Sequence, residues 1–124
     1  MLASWVERVR DRPFHWAEWD CAIAAADAVE TITGENPLDV HWSDIKTAVR
    51  QLEAEGGIES AVTARLGEPI PYALAQRGDI VLMSGERSEF IAVCLGSVAA
   101  APSSTGLAFP EMSLAIKAWA VGHG

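Results

Sequence analysis

The sequence predicts an α+β domain in which a helical N-terminal half packs on a small antiparallel sheet. Apolar residues recur at helical spacing as far as Leu66, and from Gly78 onward the pattern becomes short apolar runs separated by turn formers. Helices that come first and strands that come second segregate, as α+β proteins do, instead of alternating as in a parallel α/β sheet. No internal repeat or low-complexity linker divides the 124 residues, so 1–124 reads as a single domain.

Leu2, Trp5, Val6 and Val9 form the stripe of a first short helix, which Asp11-Arg12-Pro13 ends because proline cannot continue it. Asp20 can cap the second helix, and Gly34 can end it in a left-handed conformation. Between them Cys21, Ala22, Ile23, Ala24, Ala25, Ala26, Ala28, Val29 and Ile32 are apolar on nearly every face. This predicts a central helix whose alanines let its neighbours approach closely. Ser43 is the expected cap of a third helix carrying Ile45, Ala48, Val49 and Leu52 on one stripe, stopped by Gly56-Gly57. A fourth helix uses Ile58, Ala61, Val62 and Leu66 and ends at Gly67.

Pro69 and Pro71 then introduce a loop, and Gly78-Asp79 makes a turn into the strand Ile80-Val81-Leu82-Met83. Ser84 to Ser88 is a hairpin connection, and Phe90 to Leu95 is the second strand, closed by Gly96. Val98 to Ala101 is a third strand, turned back by residues 102–106, and Leu114 to Val121 is the last.

The formal charge of −8 argues against nucleic-acid binding and anionic membranes, whose phosphates require a positive field. No N-terminal stretch has the layout of a secretory signal, since Trp5 is followed by Glu7, Arg8 and Arg10. The apolar runs also fall short of the roughly 20 residues a membrane span needs. A cytoplasmic site of synthesis is expected, with or without later incorporation into a larger assembly. Cys21 and Cys94 match no zinc spacing, and His15, His41 and His123 are scattered, so neither a metal nor another cofactor is expected.

"FHWAEWDC" (14–21) followed by an alanine-rich helix, then "RGDIVLM" (77–83), then "FIAVCLG" (90–96), resembles the NlpC-type branch of papain-like cysteine peptidases. The likeness is greatest to short phage and prophage proteins found among tail genes, and it runs from about Phe14 to Trp119. It implies a papain-like architecture with Cys21 as nucleophile, Asp20 beside it, and Arg77-Gly78-Asp79 as the turn before the first strand. It also implies a histidine opening the next strand, where this chain has Phe90. Without an imidazole, a cysteine nucleophile loses both the partner that favours its thiolate and the acid for its leaving group.

The leading expectation is a non-catalytic tail structural or assembly protein on a degenerate scaffold, partnered by other tail proteins. The alternatives are an active cysteine hydrolase cutting peptidoglycan peptides, with His15 or His41 as an unrecognised base, and a small acidic binding or immunity-type protein. On its own chemistry Cys21 reads first as a packed small hydrophobe and only second as a nucleophile. Trp16 and Trp19 offer either an aromatic recognition surface or core. Arg77 and Asp79 offer either a substrate clamp or a turn with a local ion pair. Cys94 reads as buried filler, and Glu53, Glu55, Glu59 and Glu68 as a solvated face.

Overall fold

In the computed structural model the described residues are 2–16, 18–40, 42–86 and 88–121. Four helices lead: α1 (Leu2–Val9), α2 (Cys21–Thr33), α3 (Ile45–Ala54) and α4 (Ile58–Leu66). Six strands follow: β1 (Ile70–Pro71), β2 (Ile80–Ser84), β3 (Glu89–Cys94), β4 (Ala99–Ser103), β5 (Gly106–Ala108) and β6 (Ala115–Trp119). They form one sheet in the order β1-β6-β2-β3-β4-β5, and every neighbouring pair is antiparallel. The α+β class and the order of helices before strands are as the sequence predicts.

Strand alternation sorts the sheet into two buried faces. Ile80, Leu82, Ile91, Val93, Ala100 and Trp119 share a core with α1, α2 and Val62 of α4. Val81, Met83, Ala92, Cys94, Ala99, Ala101, Ala115 and Ala118 make a second cluster, against which Ile70, Ala75 and Met112 pack. The central helix is as enclosed as its composition suggests, since Ala24, Ala25, Ala26, Ala28 and Val29 are all buried.

Several local expectations need correction. The cap of α3 is Asp44, not Ser43, because Asp44 accepts the Thr47 amide at 2.9 Å while the Thr47 hydroxyl answers the Asp44 amide, a reciprocal capping box. The α3 stripe splits: Ala48 is buried, but Ile45 and Val49 face outward. β1 and β5 appear where loop and turn are expected. They are two and three residues long, too short for any hydrophobic period to show.

The solvated acidic face is also partly wrong. Glu55 receives Arg65 through two bonds of 2.5 and 3.0 Å, and Glu59 receives Lys117 at 2.8 Å. Cys94 is buried filler as read, in the second cluster. His41, His123 and Arg87 of the expected hairpin lie outside the described residues. Among those described, no helix is long and apolar enough to cross a membrane.

Candidate functional site

The segment before α2 decides how Cys21 is presented. The Phe14 amide donates to the Ser103 carbonyl at 2.8 Å, which lays this loop beside the end of β4. His15 and Trp19 then pair as an isolated bridge that turns the chain into the helix. Asp20 ends the turn as N-cap. Its Oδ1 accepts the Ile23 amide at 3.0 Å and its Oδ2 accepts the Trp42 indole N–H at 2.7 Å, so both oxygens of a buried carboxylate are engaged. Trp42 was not singled out as a partner in the sequence, because nothing local links a loop indole to an acid 22 residues earlier.

Cys21 is therefore the first helical residue, and it packs against both hydrophobic clusters. It opens into a groove of about 510 Å³ lined by Phe90, Ala101, Pro102, Ala108, Phe109 and Pro110. Phe90 alternates with Ala92 and Cys94, so it belongs to the second face of the sheet, where it shares the lining of the groove with Cys21. Apart from the thiol itself, no ionisable side chain among the described residues lines this groove. Burial, reinforced by the negative charge of Asp20, pushes the Cys21 thiol up to about 11. The helix N-terminus favours an anion there, but by less than desolvation opposes it.

His15 does not enter the groove. Its exposed ring lies 3.0 Å from the Trp16 carbonyl and 3.6 Å from the Glu18 carboxylate. Trp16 and Trp19 do not make one recognition surface. Trp16 is exposed and stands edge-on to Phe14 at 5.1 Å, whereas Trp19 is buried, 6.5 Å from Trp5 and beneath the Arg12 guanidinium at 4.4 Å. The Trp19 indole N–H has no hydrogen-bond partner among the described residues.

The local ion pair expected of Arg77 and Asp79 does not form. Arg77 donates to the Leu95 carbonyl at 2.6 Å, and the buried Asp79 carboxylate accepts the Gln76 amide at 2.8 Å and the Val121 amide at 3.0 Å. This motif fastens the entry and exit of the sheet. Gly78 is needed between them, because its φ of +97° is a conformation side chains avoid, and a Cβ there would meet Ile32 Cδ1 at 2.9 Å.

A second, partly open recess of about 50 Å³ lies among Leu38, Trp42, Leu52, Ile58, Val62 and Ile91, with Glu55 and Arg65 also in its lining. No group of histidine, cysteine and acidic side chains among the described residues could hold a metal ion. Compared with known proteins, residues 1–121 match the family described as "Domain of unknown function (DUF6950)". No curated protein matches the chain.

Proposed function

We propose, from the premise that this chain belongs to the DUF6950 family, that it is a non-catalytic structural or assembly protein built on a papain-like scaffold that has lost its histidine. The observation that carries this reading is the chemistry of the Cys21 groove. A cysteine hydrolase needs a thiolate, a base to form it and an acid to protonate the leaving group. Here the thiol is pushed up to about 11, and its groove neighbours are Phe90, Phe109, two prolines and two alanines. Such walls oppose every charged intermediate of acyl transfer, while they suit packing against another protein. A phage or prophage tail is the setting that the resemblance implies, and tail proteins are the partners that go with it.

The test is hydrolysis by the purified full chain. Incubated with peptidoglycan and its stem peptides, the wild type should release no product, and Cys21→Ser should fold and behave identically. Cleavage by the wild type that Cys21→Ser abolishes would overturn the proposal and make the protein a peptidase.

A further inference from the structure

We propose that the outward face of α3 docks a helical segment of a partner protein, apolar along its centre and acidic at its margins. The helix is secured at its start by the Asp44–Thr47 box, yet of its ten residues only Ala48 is buried. Ile45 and Val49, one turn apart on the same side, remain 49% and 47% exposed. A capped helix with two β-branched residues turned to water has an apolar stripe that the other described residues leave uncovered.

Charge says what kind of partner covers it. Lys46 and Arg50 run along one side of the stripe, again one turn apart, and neither side chain makes a hydrogen bond or ion pair among the described residues. Arg50 acts on Asp44 only through its field, and the Asp44 carboxylate is taken up by Thr47.

The other described cations are engaged. Arg8 meets Asp27, Arg10 meets Glu7, Arg65 meets Glu55 and Lys117 meets Glu59. Arg12 stacks on Trp19, and Arg77 holds the Leu95 carbonyl. In a chain of net charge −8, two uncommitted cations beside exposed isoleucine and valine single out this face for carboxylates.

Glu53 closes the far end of the shallow recess, of about 340 Å³, that these side chains line. A partner helix with apolar residues at i and i+4 would seat on Ile45 and Val49, its flanking acids meeting Lys46 and Arg50. Two cations on so acidic a chain are too few for an anionic bilayer, where juxtamembrane binding takes clusters of about four to eight. This inference does not depend on whether Cys21 is inert.

The experiment is an NMR titration of the ¹⁵N-labelled full chain with a synthetic amphipathic helix carrying a leucine stripe bordered by glutamates. A control peptide replaces the glutamates with lysines. Shift changes confined to residues 45–53 are expected with the acidic peptide, with affinity that falls as salt rises. Lys46→Glu combined with Arg50→Glu should weaken binding by about tenfold or more. Equal binding of both peptides, shifts elsewhere, or full affinity in the double variant would overturn the proposal. So would self-association through α3 in sedimentation, or stronger binding to vesicles containing anionic lipid, since each names another occupant.

Discussion

Cys21 should be a slow nucleophile, and the structure says by how much. Its thiol is raised from an ordinary 9.0 to about 11, chiefly by burial and secondly by the Asp20 charge. Both causes penalise the anion, so the thiolate is scarce below the raised value and accumulates only as pH climbs through it. At pH 7 the thiolate fraction drops from about one in a hundred to about one in ten thousand, and alkylation, which proceeds through the thiolate, slows by about a hundredfold.

Iodoacetamide labelling across pH 6 to 10, read by peptide-resolved mass spectrometry, separates Cys21 from the buried Cys94. The Cys21 rate should climb about tenfold per pH unit with no plateau in that range. Asp20→Asn retains a good capping residue and removes the charge. It should speed labelling only partly, because burial is the larger cause. A plateau near neutral pH, or labelling faster than a cysteine in a short peptide, would refute this account of the groove.

Two stability predictions follow from the packing. Ala28 is fully buried in α2, and Ala28→Leu should lower the denaturant midpoint by an equivalent of about 1–3 kcal/mol; an unchanged midpoint would mean the helix can move aside. Asp79→Ala strands the amides of Gln76 and Val121, at about 1–3 kcal/mol for each that stays buried, whereas Arg77→Ala at the exposed side of the same turn should change the thermal midpoint little. Equal losses from the two variants would contradict the division of labour assigned to that turn.

The parts of this fold that were legible in the sequence are those in which each residue declares its own environment. Asp20 and Gly34 bound α2 as capping chemistry requires, and alternation assigns Ile91 and Val93 to one face of β3 and Ala92 and Cys94 to the other. What was not legible depends on partners distant in the chain. Asp79 is half of a plausible ion pair until Val121 arrives 42 residues later and claims its carboxylate. Trp19 and Trp16 look alike in sequence, but Trp19 joins the core beside Trp5 and under Arg12, while Trp16 stays 39% exposed. Within α3, helical periodicity identifies the apolar stripe but cannot say that the other described residues leave half of it uncovered.

The indole that reaches Asp20 belongs to a set of five tryptophans, two of which donate to carboxylates while the others differ from these and from one another. Trp42 leans on a carboxylate, Trp5 donates to Asp27 at 2.8 Å, and Trp119 donates to the Thr63 hydroxyl at 3.1 Å. Trp19 is buried with its N–H unpartnered among the described residues, and Trp16 is 39% exposed. Emission maximum and quencher access depend on local polarity and exposure, so single-tryptophan variants turn this chain into its own set of optical reporters. Trp42 in particular would report on the start of α2, where a change at the Cys21 groove becomes visible as a spectral shift without any label attached.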